Sequence, residues 1–183
     1  LSHMSAFIPP PGTSDILPDR ISCWRRMEDA VHTVFPLYGY GEIRTPVLEY
    51  TEIFTHGIGN ETDLVRKEMY TFEDRGGRSL TMRPEGTAGV IRALAGTDVL
   101  NGIEKRVYYI GPMFRGERPA AGRRRQFHQI GVENAGRVSP RLDAECICML
   151  FHLLDYLGVK GADLLISTRA SHEDRKPAEA VLK

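Results

Sequence analysis

Five arginines, Arg115, Arg118, Arg123, Arg124 and Arg125, crowd one short stretch that also holds Glu117. A guanidinium group is planar, permanently charged and shaped to meet phosphate oxygens in pairs. Such a stretch offers a phosphate grip, although a run of charge by itself reads as solvated surface. The segment that follows shifts the balance. Over residues 127–133 the period of an extended strand puts Phe127, Gln129, Gly131 and Glu133 on one face and His128, Ile130 and Val132 on the other. The second face is apolar apart from His128, which reads as a hydrogen-bonded core histidine. The first carries an amide and a carboxylate around a glycine, groups that each need a partner once buried. They suit the floor of a site for a small polar ligand, with Gly131 letting the ligand approach the backbone and Arg115 reaching a phosphate. The chemistry implied is a nucleotide held beside an amine-bearing substrate.

Several elements must position these groups. The arginine stretch joins two expected strands, 107–114 and 127–132, which are expected to pair antiparallel. Residues 69–72 and 79–82 read as a second hairpin closed by Asp74-Arg75-Gly76-Gly77. Pro84-Glu85-Gly86-Thr87 then leads from strand into a helix over 88–94. Upstream, the prolines around Pro10 demand an extended arm. Ile21, Trp24, Met27, Val31 and Val34 give a helix of about five turns, ended by Pro36 and Gly39. A strand over 42–45 runs into Pro46, and a short helical piece over 51–54 follows. Ser139 and Pro140 start a last helix striped by Leu142, Cys146, Met149, Leu153 and Leu157 and stopped by Gly158. A candidate strand over 164–167 and a helical-looking 178–182 close the chain. Hairpins with segregated helices point to an α+β domain built on an antiparallel sheet flanked by helices.

Bulk properties narrow the classes further. With 183 residues, 42% hydrophobic and 26% charged, the chain suits one globular domain. Lys plus Arg equals Asp plus Glu at 24 each, so overall charge argues against a general nucleic-acid or membrane binder. Cys23, Cys146 and Cys148 lack metal-ligand spacing and read as reduced thiols, the last two as small core residues. His32, His56 and His152 also lack that spacing, so no metal site is expected in the protein itself. No apolar run approaches the roughly 18 residues of a membrane span, and a cytoplasmic protein is expected. Residues 1–4 read as a cloning remnant.

Phe114-Arg115-Gly116-Glu117 resembles the Phe-Arg-x-Glu heart of motif 2 in class II aminoacyl-tRNA synthetases, and residues 122–133, GRRRQFHQIGVE, resemble the histidyl branch. Gly12-Thr13-Ser14-Asp15-Ile16-Leu17-Pro18 is similar to that branch's N-terminal signature. The helix, strand and Pro46 unit is similar to motif 1, and Arg83-Pro84-Glu85-Gly86-Thr87-Ala88 to the histidine-binding turn. The resemblance covers nearly all of residues 7–166. It implies activation of L-histidine with ATP to histidyl-adenylate and transfer to tRNA(His), on the class II catalytic fold. By the same resemblance Arg115 is catalytic and holds the α-phosphate, Glu117 lies beside the adenine, and Phe127 stacks on it. Mg²⁺ accompanies the triphosphate. Glu85, Gly86, Thr87 and Gln129, with Arg115, surround the amino-acid end of histidine, and Glu133 reads the imidazole. A homodimer through the helix over 21–35 and the Pro46 strand is implied as well.

The chain departs from the pattern in its extent. Motif 3, the downstream histidine-binding segment and the anticodon-binding domain are not found, so residues 5–168 are expected to be part of a catalytic domain and 169–183 the start of an inserted region or linker. On that expectation the piece alone is not catalytically competent. Gly116 also stands where a histidine is common. Two other classes share the architecture: a non-catalytic paralogue such as the regulatory subunit of ATP phosphoribosyltransferase, and a tRNA-binding module of a sensor kinase. Arg115, Glu117, Phe127 and the Glu85-Gly86-Thr87 turn favour the enzyme.

Overall fold

The computed structural model describes residues 8–58, 62, 65 and 68–166. The expected remnant at 1–4, the boundary at 168–169 and the segment 178–182 lie outside them.

Helix α1, Pro18–Val34, begins with a proline in its first turn, where the missing N–H costs nothing. Ala30, Val31 and Val34 are its buried residues, while Ile21, Trp24 and Met27 of the same stripe are half-buried. A 3₁₀ turn, Phe35–Tyr38, follows and ends on Gly39 at φ 79°, a left-handed backbone that glycine adopts without a Cβ clash. The chain then enters β1, Gly41–Glu42. The expected strand over 42–45 is thus only a short pairing, continued by the Ile43 N–H donating to the Tyr108 C=O at 2.8 Å. After Pro46 comes an unexpected strand, β2, Leu48–Tyr50, and then α2, Thr51–Ile58, longer than the piece expected at 51–54.

The hairpin β3, Tyr70–Glu73, and β4, Ser79–Met82, lies where the turn residues required it. Asp74 accepts from the N–H groups of Gly76 and Arg78, and Gly77 supplies φ 73°. With β2 these form one antiparallel sheet in the order β2-β4-β3. Its register aligns Leu48, Met82 and Tyr70, then Tyr50, Leu80 and Phe72, on one face. Thr51, Thr71 and Thr81 hydrogen-bond on the other side. Helix α3, Thr87–Ala95, leaves directly from the turn after β4.

The second sheet holds the two long strands β5, Lys105–Phe114, and β6, Gln126–Ala135, paired antiparallel over their full length. The short β1 pairs with β5 in parallel, so the antiparallel expectation holds except at this edge. Helix α4, Pro140–Tyr156, is capped by the Ser139 side chain, which accepts from the Arg141 N–H. Val31, Val34, Phe35, Tyr40, Tyr108, Met149 and Leu153 make the core that ties α1 and α4 to this sheet. Burying each large apolar side chain contributes about 1.5–3 kcal/mol before chain entropy is subtracted. Val90, Leu94, Tyr109 and Met113 form a second cluster on the opposite face of the sheet, under α3.

Three expectations need correction. Residues 164–166 form no strand; Leu165 is 93% exposed, with no neighbouring strand to pair with among the described residues. Cys148 is exposed, because it lies off the buried stripe that carries Met149 and Leu153, whereas Cys146 is half-buried and meets the Tyr40 hydroxyl at 3.4 Å. His128 is exposed, with no hydrogen-bond partner among the described residues; it meets the edge of Trp24 of α1 at 4.5 Å between ring centroids.

Candidate functional site

The site forms where three pieces converge: the β5–β6 hairpin with its arginine loop, the turn from β4 into α3, and the N-terminal arm. The arm docks by backbone. The Gly12 carbonyl accepts from the N–H groups of both Arg125 and Gln126, at 2.9 and 3.2 Å, and Arg124 donates to the Ser14 hydroxyl at 3.0 Å. Gly12 must be glycine here, since it sits at φ 84° and a Cβ would lie 2.9 Å from the Arg125 nitrogen. The arm therefore clasps the base of the arginine loop.

Around the arginine loop, the Arg115 guanidinium lies 4.8 Å from the Phe127 ring centroid, and its Nε donates to the Pro84 carbonyl at 2.9 Å. Its Nη1 is 3.8 Å from Glu117 Oε1. Arg115 thus occupies the aromatic face that the sequence reading gave to adenine. Glu117 Oε2 is buried without a hydrogen bond among the described residues, and Arg123 approaches it only to 3.8 Å. A buried carboxylate oxygen in this state is an open acceptor for an N–H group. A cavity of about 570 Å³ is lined by these residues together with Glu68, Gly122, Arg124 and His128.

The turn from β4 into α3 is differently arranged. Glu85 folds back over the start of α3, accepting from the Thr87 N–H at 2.6 Å and the Ala88 N–H at 2.9 Å. This is a carboxylate set where helix donors are unsatisfied and the dipole favours negative charge. Thr87 Oγ1 in turn donates to Glu133 Oε1 at 2.7 Å across to β6. Burial pushes the Glu133 carboxyl above its ordinary value against that hydrogen bond, and the nearby charge of Glu85 adds to the rise. Gln129 Oε1 is also buried without a partner among the described residues. A second cavity, of about 690 Å³, is lined by Glu85, Thr87, Ala88, Ile91, Ile53, His56 and Arg115 among others. Arg115 borders both cavities, whereas Gln129 and Glu133 line neither.

Gly131 has a different reason from the one its neighbours suggested. The ring of Tyr109, not open space for a ligand, lies where its Cβ would stand. Two further residues escaped sequence reading. Arg83 is only 8% exposed and spans the strands, with Nε donating to the Pro112 carbonyl at 2.9 Å and Nη1 to the Thr45 carbonyl at 2.9 Å. It has no ion-pair partner among the described residues, and burial works against its charge. Its guanidinium lies over Gly111, directly opposite Gln129 in the ladder. Glu68 accepts the Gly116 N–H at 2.6 Å and so anchors the arginine loop. Gly111 was the available signal for Arg83, because a glycine inside a long strand marks a place where another side chain can lie over the backbone.

A family model described as histidyl-tRNA synthetase matches residues 12–170. The chain is 52% identical over 167 residues to the histidine–tRNA ligase of Halothermothrix orenii, covering 91% of this chain and 40% of that protein. It is 51% identical over 164 residues to the ligase of Desulforudis audaxviator, covering 87% and 38%. Among solved structures, the apo histidyl-tRNA synthetase of S. aureus superposes with a TM-score of 0.69 at 38% identity, covering 84% of this chain and 35% of that one. A Bacillus halodurans protein described as an ATP phosphoribosyltransferase regulatory subunit/histidyl-tRNA synthetase gives 0.71 at 26% identity, covering 86% and 40%. The chain spans about 40% of the length of the curated relatives it matches. On its motifs, its fold and these matches, the chain belongs to the histidyl-tRNA synthetase family.

Proposed function

We propose that this chain carries the ATP- and histidine-binding floor of a histidine–tRNA ligase, which activates L-histidine as histidyl-adenylate and passes it to tRNA(His). The observation that carries the reading is Arg115 standing between two cavities, one lined by Glu117 and Phe127 and the other by Glu85 and Thr87. In adenylate formation the amino acid's carboxylate attacks the α-phosphorus, and a fixed cation at the junction counters the charge that develops there. Glu117 Oε2 suits an N–H donor of adenine, and Phe127 offers its ring once Arg115 turns to phosphate. Glu85, Thr87 and Gln129 suit the α-ammonium group. Glu133 suits an imidazole N–H, and an apolar amino acid of the same size would leave it buried and unpaired.

Mg²⁺ enters with the nucleotide as part of the substrate. Among the described residues no group of three His, Cys, Asp or Glu side chains stands ready to hold a metal. No described helix is long and apolar enough to cross a membrane; a cytoplasmic location is part of the proposal.

The test is Arg115→Ala in a ligase chain of family length carrying this segment. Histidine-dependent pyrophosphate exchange is expected to fall about a hundredfold or more with the circular dichroism spectrum unchanged. Undiminished exchange would overturn the reading. The rival reading, a histidine-binding regulatory subunit, draws on the Bacillus halodurans match. It requires histidine binding without any histidine-dependent exchange.

We also propose a homodimer. The helix that the resemblance assigned to an interface buries Ala30, Val31 and Val34 of its apolar stripe in the core, so it offers less than expected. The sheet face of β2, β4 and β3 offers more, with Leu48 43%, Tyr50 47% and Phe72 44% exposed on one surface. Sedimentation of the chain is expected to show a dimer that Tyr50→Asp disrupts; a monomer at high concentration would contradict it.

A further inference from the structure

The N-terminal arm meets the arginine loop with a turn that is set before it docks. In Pro10-Pro11-Gly12-Thr13 the Pro10 carbonyl accepts from the Thr13 N–H at 3.0 Å and from the Thr13 hydroxyl at 2.7 Å. Proline in second place and glycine at φ 84° in third are the residues that a type II turn demands. The turn presents the Gly12 carbonyl to the N–H groups of Arg125 and Gln126.

Arg125 is held by three segments at once. Its N–H donates to Gly12, its carbonyl accepts from the Arg115 N–H at 2.9 Å, and its Nε donates to the Glu117 carbonyl at 3.2 Å. Gln126 also gives its N–H to Gly12, while Phe114, its partner across the ladder, turns its N–H to the Arg83 carbonyl at 3.0 Å. The end of the β5–β6 hairpin is therefore not closed by the hairpin alone. Two backbone hydrogen bonds in series, from Arg125 to Gly12 and from Arg115 to Arg125, connect the arm to the residue that stands between the two cavities. The Ser14 hydroxyl holds Arg124, which lines the cavity around Phe127. The arm is otherwise exposed, with Ile8 82% and Leu17 60% open to solvent, so it adds little to either core.

We propose that the turn at residues 10–13 is a positioning element for the phosphate grip: by accepting from Arg125 and Gln126 it fixes the backbone from which Arg115 and the loop arginines project. The inference rests on the reading of the cavity around Glu117 and Phe127 as the nucleotide site. A cation counters developing phosphate charge only when it is held where that charge appears. Without the turn every arginine is still present, but two backbone donors lose their acceptor and the base of the loop loosens. Among the described residues none of the arm's hydrogen bonds reaches Glu85, Thr87, Gln129 or Glu133, so the effect falls first on the nucleotide.

Gly12→Ala forces a Cβ to 2.9 Å from the Arg125 nitrogen, whereas Gly77→Ala carries the same kind of backbone strain in a turn where the Cβ meets nothing within 4 Å. In this chain, trypsin cleavage after Arg123, Arg124 and Arg125, located by mass spectrometry, is expected to quicken about fivefold or more in Gly12→Ala and to stay unchanged in Gly77→Ala. In a ligase chain of family length, pyrophosphate exchange by Gly12→Ala is expected to show a KM for ATP raised about fivefold and a KM for histidine changed less than about twofold, with the melting temperature preserved. Unchanged cleavage would overturn the inference, and so would equal acceleration by Gly77→Ala. Quicker cleavage with an unchanged KM for ATP, or equal rises in both KM values, would overturn the positioning role while the nucleotide reading stands. If Arg115→Ala leaves exchange undiminished, the nucleotide reading fails and takes the positioning role with it.

Discussion

The two halves of the site are built to different degrees of completion. On the amino-acid side, Glu85 is fastened to the start of α3 by two backbone N–H groups, Thr87 to Glu133, and Tyr109 between two glycines. On the nucleotide side, Arg115 rests on Phe127 and Glu117 Oε2 has no hydrogen bond among the described residues. The first is a mutually hydrogen-bonded set of side chains in which Gln129 Oε1 is the group left without a partner among the described residues. The second is looser, with Arg115 over the Phe127 ring and its Nη1 3.8 Å from Glu117 Oε1. On the proposed assignment of the two halves, the difference follows from size and charge. A small amino acid must be told from others of its size, which demands fixed geometry. A polyanion gains most from a few well-aimed cations, and an arginine with a long side chain can swing to it.

Among changes confined to one half, breaking the proposed amino-acid half is expected to have the largest effect. Glu133→Gln in a ligase chain of family length is expected to lower kcat/KM for histidine about tenfold to a hundredfold with the KM for ATP unchanged; equal losses for both substrates would remove the distinction between the halves. Next comes Gly131→Ala. Its Cβ would strike the Tyr109 ring, and about 1–3 kcal/mol of stability is expected to be lost in urea unfolding. By contrast Gly116→Ala, on the nucleotide side, meets only the Glu68 carbonyl oxygen at 3.5 Å, and a change within about 0.5 kcal/mol is expected.

The smallest effect is in pH dependence. Glu133 has its pKa raised in the fold above the ordinary 4.5, so the native state holds this proton more tightly than the unfolded chain. Its contribution to stability is full below the unfolded value and is lost as pH rises through the folded value. The melting temperature of Glu133→Gln, measured against the unsubstituted chain, is therefore expected to gain on it between pH 4.5 and neutrality. A constant difference would mean that the carboxyl is not buried at a cost.

Much of this asymmetry could be read in the chain, but unevenly. The β5–β6 hairpin was legible because strict alternation from Phe127 to Glu133 leaves one register that separates polar from apolar residues. The β3–β4 hairpin was legible from turn chemistry at Asp74 and Gly77. Strand β2 was not, because Pro46 and the helix starting at Thr51 leave too few residues for a period to show, and its buried Glu49 is explained only by Arg92 of α3, 2.6 Å away. His128 looked like core because alternation assigns a face without saying whether anything covers it. At the candidate site, residue types suggested which groups could bind, but not which groups hold them. Arg83, Tyr109 and Glu68 act through partners far away in sequence, and only the folded chain brings Gly86 and Gly131 to the same ring.

The claim that Arg115 joins the two halves is tested most directly by titrating histidine-dependent pyrophosphate exchange against each substrate in Arg115→Ala. The account predicts a kcat loss of about a hundredfold or more that saturating histidine and saturating ATP both fail to restore. An intact kcat, with the defect confined to the KM of one substrate, would contradict it.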